Sequence, residues 1–153
     1  MLKALLVAAA AIGLAPIAVA KVPVAPLPDI YESYNDCFVA TADGVDAGKL
    51  EPLGWKLADI DGKPSADPKI FGHVTRAPLI IVGGQGDNGM CAVVAKLESA
   101  AAFDELVSAW QGIKFDKKGE ASFMAEGHPV MIARTGSKDA PAVRLAVGPR
   151  VGK

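Results

Sequence analysis

The chain has 153 residues, a formal charge of −1 from 16 basic and 17 acidic side chains, 51% hydrophobic residues and two cysteines. Near-neutral charge excludes a polybasic nucleic-acid or anionic-lipid binder, and the apolar fraction excludes an intrinsically disordered tail. The length fits one domain able to bury a real core.

The first twenty residues read as a secretory signal peptide: Lys3, an uncharged run from Ala4 to Ala20, and a small-x-small site at Ala18-Val19-Ala20. The competing reading is a membrane anchor, but the run is interrupted by Gly13 and Pro16 and falls short of the ~20 residues of a span. No twin-arginine pair precedes it and no cysteine stands at the cleavage point, so general secretion without a lipid anchor is expected. Cleavage before Lys21 would leave a periplasmic or secreted chain with no stable membrane span and a net charge of −2.

Residues 21–28, KVPVAPLP, read as a Pro-rich extended leader, and 29–153 as a single domain. Asp29 is an N-cap candidate. Ile30, Tyr34, Cys37, Phe38 and Thr41 form a helical stripe, with Glu32, Ser33, Asn35 and Asp36 on the opposite, polar side and a stop near Asp43-Gly44. Gly44–Gly54 is a connector. Trp55–Ile60 reads as a strand, Asp61-Gly62 as a hairpin turn, Ile70–Thr75 and Leu79–Val82 as strands, Gly83–Gly89 as a turn, and Met90–Leu97 as a strand. Cys91, Val93 and Ala95 share one face of that last strand. Ser99 caps a second helix striped by Phe103, Leu106, Val107 and Trp110 and stopped by Gly112. Ala121–Ala125, Val130–Arg134 and Ala142–Val147 are strand-like, separated by turns at Gly127-His128 and Gly136–Asp139. Adjacent strands with short turns imply antiparallel pairing. The expected class is α+β, a mostly antiparallel sheet of five to six strands with two helices packed on one face.

Cys37 and Cys91 lie 54 positions apart, too far for a redox Cys-x-x-Cys pair, and in an oxidising compartment their simplest use is a disulfide. That bond would lay the first helix across the Met90–Leu97 strand. A metal site lacks ligands: His73 and His128 have no i, i+4 relation to each other or to a cysteine.

Gly84-Gln85-Gly86-Asp87-Asn88-Gly89 matches the dinucleotide fingerprint G-x-G-x-x-G, but a strand rather than a helix follows it, so a hairpin turn is the better reading. Asp59-Ile60-Asp61-Gly62 starts like a calcium loop, but its twelfth position is Ile70 instead of Glu. Imidazole titrates near neutrality, which makes His73 and His128 the only general acid–base candidates. There is no Gly-x-Ser-x-Gly elbow or Ser-x-x-Lys pair, and neither Ser122 nor Ser137 has an assignable base. Asp104-Glu105 falls on the polar side of the second helix.

Charge is unevenly distributed. Lys21–Asp61 carries −5, whereas Arg134–Lys153 carries +4 through Arg134, Lys138, Arg144, Arg150 and Lys153 against Asp139. Arg134, Lys138, Arg144 and Arg150 therefore form a possible basic end for an envelope protein or an anionic envelope polymer. No cofactor and no nucleic-acid partner is expected. The function expected is that of a small exported, non-catalytic binding, inhibitor or accessory protein. The alternatives are a small hydrolase using His73 or His128, and a carrier of an apolar ligand.

Overall fold

The computed structural model describes residues 22–152; the signal-peptide segment lies outside the described residues. Helix α1 spans Leu27–Thr41, a 3-10 helix spans Ala47–Leu53, and α2 spans Ala100–Val107. The strands are β1 Trp55–Leu57, β2 Asp59–Ile60, β3 Lys63–Pro64, β4 Lys69–His73, β5 Leu79–Gly83, β6 Met90–Lys96, β7 Glu120–Ala125, β8 His128–Gly136 and β9 Pro141–Val147. Seven of them form one sheet in the order β1-β4-β5-β6-β9-β8-β7, and every neighbouring pair is antiparallel. The class is α+β, as expected, with corrections in detail. The sheet holds seven strands rather than five to six, β2 and β3 make a separate hairpin, and a 3-10 helix joins the two α-helices.

The separation of the β2–β3 hairpin from β1 follows from a non-local pairing. The expected strand Trp55–Ile60 breaks at Ala58, whose N–H donates to Ile70 O while its carbonyl accepts from Ser65 N–H. Asp59 and Ile60 then turn into a short hairpin through Asp61 and Gly62, both at positive φ (53° and 76°), the conformation of a type I′ turn.

Alternation along the strands places Ile80, Val82, Cys91, Val93, Ala95, Val143, Leu145, Val147, Val130 and Ile132 on one face, where all are buried. Both α-helices cover that face. Ile30, Tyr34, Cys37 and Thr41 of α1 are buried against it, and the Cys37–Cys91 disulfide, with Cα atoms 5.4 Å apart, ties α1 to β6. Phe103 and Leu106 of α2 are also buried. Tyr31 Oη donates to the Leu106 carbonyl (2.9 Å), which satisfies a carbonyl at the end of α2 and joins the two helices.

Helix α1 is capped by Pro26, three residues earlier than the expected Asp29, with a proline in its first turn, a position where a missing N–H costs nothing. Asp29 instead accepts from Ala77 N–H at 3.3 Å. The supposedly polar side of α1 is partly covered. Ser33 is fully buried and donates to Asp29 O. Asp36 accepts from Trp55 Nε1 (2.8 Å) and from Arg76 (2.6 Å); Arg76 also reaches Glu32 at 3.0 Å. The loop after β4 crosses this side of the helix, a non-local contact that periodicity within α1 does not encode.

Helix α2 stops at Val107, before the expected Gly112; Ser108 Oγ closes it by donating to Glu105 O. Trp110 nevertheless packs on Tyr34, Tyr31 and Phe123. The leader is part of the fold: Val22 and Ala25 are buried, and Ala25 N–H donates to Lys96 O at the end of β6.

Candidate functional site: the uncovered sheet face beside β7

The residues singled out for chemistry are occupied by structure. His73 Nε2 lies 2.9 Å from Leu53 O, and its Nδ1 accepts from the N–H groups of Thr75 and Arg76. That assigns the proton to Nε2 and leaves neither nitrogen free. The ring also packs edge-on against Trp55. His128 is not in a turn but opens β8, where it is buried; its Nδ1 lies 2.9 Å from Gly148 O and 3.2 Å from Thr41 Oγ1, and Phe38 packs on its ring. Neither imidazole stands beside a serine or a carboxylate in these contacts.

The Gly84–Gly89 loop is a β5–β6 connection, as read from the sequence. Two of its glycines have different reasons. Gly86 has a positive φ of 56° and exchanges backbone hydrogen bonds with Val45, whereas a Cβ on Gly89 would lie 2.8 Å from the Val45 side chain. The loop clasps the segment that leaves α1, which consumes the backbone groups a phosphate would need. Among the described residues no group of three or more His, Cys, Asp or Glu side chains is arranged to hold a metal ion.

The four basic residues of the C-terminal region do not share a surface. Arg134 lies on the helix-bearing face, paired with Asp104 at 3.2 Å and stacked 4.2 Å over Phe103. Arg144 lies on the other face, 3.8 Å from Glu120. Lys138 sits in the β8–β9 turn, and Arg150 beside Gly127 at the opposite end of β8.

What the sequence reading passed over is the second face of the sheet. Cys91, Val130 and Phe123 point toward the helices, so their neighbours Met90, Met131 and Met124 point away. These are all the methionines of the chain except Met1. Strand order β6-β9-β8-β7 gathers them: with Ser122, Pro129, Ala146 and Gly148 they line a groove of about 600 Å³. Met90 and Met124 are 43% and 57% exposed, among the most exposed large apolar side chains of the protein. Of the small residues on this face, Ala146 lies in the groove and is buried. Neither α-helix covers this face.

Two tyrosines behind the sheet have altered acidity. Burial pushes the Tyr34 hydroxyl up to about 12, against a smaller downward pull from the Trp110 indole. Among the described residues Tyr34 Oη is buried without a hydrogen-bond partner; Trp110 meets Tyr34 as an edge-on ring contact, 5.4 Å between centroids, and not through a geometric hydrogen bond. Burial, and then the Glu105 carboxylate, raise Tyr31.

No known protein family, no curated protein and no solved structure matches this chain.

Proposed function

We propose that the protein is a small exported binding or accessory protein that engages a partner protein through the methionine groove. The supporting observation is the convergence of Met90, Met124 and Met131 on a sheet face that no α-helix covers. Exposed apolar patches rimmed by polar groups are characteristic of interaction sites. Unbranched, polarizable methionine side chains adapt to partner surfaces at modest cost. Export is supported by the signal-like leader and is compatible with the disulfide. Catalysis by His73 or His128 receives no comparable support, because backbone atoms and Thr41 take up the imidazole nitrogens described above.

The test is site-specific photo-crosslinking in intact cells. A photo-reactive residue at Met124 gives a discrete adduct that Met131→Lys abolishes, while the same residue at Val74, exposed and outside the groove, gives none. Equal adducts at both positions, or none at Met124, reject the groove as the binding surface. An adduct only with a small apolar molecule would make the protein a ligand carrier instead.

A further inference from the structure

The two edges of the sheet are not equivalent. Strand β1 has three residues, Trp55–Leu57, with exposed Lys56 at its centre, a short and charged edge of the kind that resists further pairing. Strand β7 has six residues, Glu120–Ala125, with neither lysine nor proline.

The direction of its backbone groups follows from the hairpin. Glu126 and Gly127 both have positive φ, 52° and 81°, so they form a two-residue turn closed by the pair Ala125 and His128. Bonded and non-bonded pairs alternate along an antiparallel ladder. Phe123/Val130 and Ala121/Ile132 are then the bonded pairs, and Glu120, Ser122 and Met124 turn their amides and carbonyls away from β8. Two observations agree. Met124 stands opposite Pro129, which has no N–H to give. Glu120 directs both groups outward, its N–H to Asp116 Oδ1 (3.0 Å) and its carbonyl to Asp116 N–H (2.8 Å). Asp116 thus caps the first outward position, and the next two, Ser122 and Met124, have no backbone partner on that side among the described residues.

A groove flanks that edge on each side of the sheet. Toward the helices, Trp110–Lys114 and Ser122–Ala125 line one of about 530 Å³. On the other side lies the methionine groove, which shares Ser122, Phe123 and Met124. An added strand presents alternate side chains to alternate faces, which is what two grooves on opposite sides of one edge accommodate. Every neighbouring pair in this sheet is antiparallel; an added strand that continues the pattern runs antiparallel to β7, and charge then sets which of its ends is acidic. Lys114, Lys117 and Lys118 are exposed near the start of β7 and make no ion pair among the described residues, whereas Glu126 stands at its end.

We infer that β7 is a strand-addition site, which takes an extended segment of a partner protein antiparallel to β7, hydrogen-bonded to Ser122 and Met124, with alternate apolar side chains in the two grooves and acidic residues toward Lys114, Lys117 and Lys118. Main-chain pairing supplies affinity in this mode and the pockets supply specificity. The wall formed by Trp110–Lys114 favours a single strand over a second copy of the molecule, which would bring a wall of its own. The inference rests on the reading that this side of the protein binds a partner.

The experiment selects peptides of about nine residues, the length of a long strand, from a random phage-displayed library on the oxidised protein. Amide hydrogen exchange is then followed by NMR. The expected result is enrichment of alternating apolar peptides with Asp or Glu in their C-terminal half. The Ser122 and Met124 amides exchange rapidly in the free protein and at least about tenfold more slowly in the complex, the effect of a newly formed main-chain bond. Ser122→Pro removes an outward amide without touching the β7–β8 ladder and weakens binding by about tenfold. Met124→Pro repeats the test should the first variant fail to fold. Failure to enrich any peptide overturns the inference, as does binding that leaves the two amides exchanging as before. In that last case shifts of the methionine methyl signals would still uphold the groove, so the two failures are distinguishable. Protection that grows with protein concentration alone would identify a second copy as the occupant and overturn the assignment to a partner.

Discussion

The hydroxyl of Tyr34 is buried with nothing to bond to among the described residues, and a buried unsatisfied polar group costs about 1–3 kcal/mol. Tyr34→Phe should therefore stabilise the protein by about 1 kcal/mol in urea titration, and a loss of stability would mean that the hydroxyl has a partner. The same group gives a pH dependence. In the unfolded chain it ionises near 10.0, and in the folded protein near about 12. Below the first value it is neutral in both states and its contribution is fully present. Between the two the unfolded state loses the proton first, so stability falls as pH rises, by about 1.4 kcal/mol per pH unit. Tyr34→Phe removes this part of the alkaline decline; identical curves for the two proteins would refute the assignment. The Asp36 carboxylate, unlike the Tyr34 hydroxyl, is engaged by hydrogen bonds from Trp55 and Arg76. Asp36→Ala leaves the largely buried Arg76 guanidinium without its closest carboxylate and should cost about 2–3 kcal/mol, below the range for a completely buried pair because Glu32 remains in reach. Thermal unfolding monitored by tryptophan fluorescence measures it, and a change under about 0.5 kcal/mol, the size of an exposed pair, would show the network to be solvent-screened.

Elements whose burial is set by their own pattern were readable from the sequence. The alternation in β5, β6 and β9 placed those strands to within a residue, the stripe of α1 placed that helix to within three, and the parity of Cys91 with the α1 stripe yielded the helix–strand crossing. Failures came where a distant segment decides. Ser33 and Asp36 looked solvent-facing because the loop after β4, some forty positions away, is what covers them. Asp59 and Ile60 looked like the end of β1 because nothing local says that Ala58 bonds to Ile70. The methionine groove lay hidden for the same reason: Met90 meets Met124 and Met131 only through the insertion of β9 between β6 and β8. A partial signal did exist. Once Cys91 faces the helix, Met90 must face the other way, and the Glu126-Gly127 turn puts Met124 and Met131 on one face of their hairpin. The glycines of the β5–β6 connection carry a further expectation. Gly89→Ala forces a Cβ to within 2.8 Å of Val45 and should lower the melting temperature by several degrees, as about 1–2 kcal/mol of overpacking does in a domain of this size. An unchanged melting temperature would show that Val45 yields freely.

For the molecule as a whole, a single covalent tie joins α1 to the middle of the sheet. A loop of this length closed in the unfolded chain corresponds to roughly 4 kcal/mol in the chain-entropy account. The paired variant Cys37→Ala with Cys91→Ala should therefore unfold at markedly lower urea concentration while keeping the same sheet by circular dichroism. Alkylation without reduction should label neither cysteine, and recovery of two labelled thiols from the exported protein would contradict the bond. The export reading has its own check: the mature chain should begin at Lys21, and an intact Met1 on exported protein would replace cleavage with anchoring.

Strand β9 is the last of the sheet's strands in chain order, yet it lies inside the sheet, between β6 and β8. Both cysteines precede it, Cys91 by about fifty positions and Cys37 by about a hundred. A nascent chain can thus carry a finished staple while the backbone of β6 is still bare on one side. For that interval the protein's own midline is its stickiest surface, and a chain cut short before Pro141 would keep it so permanently.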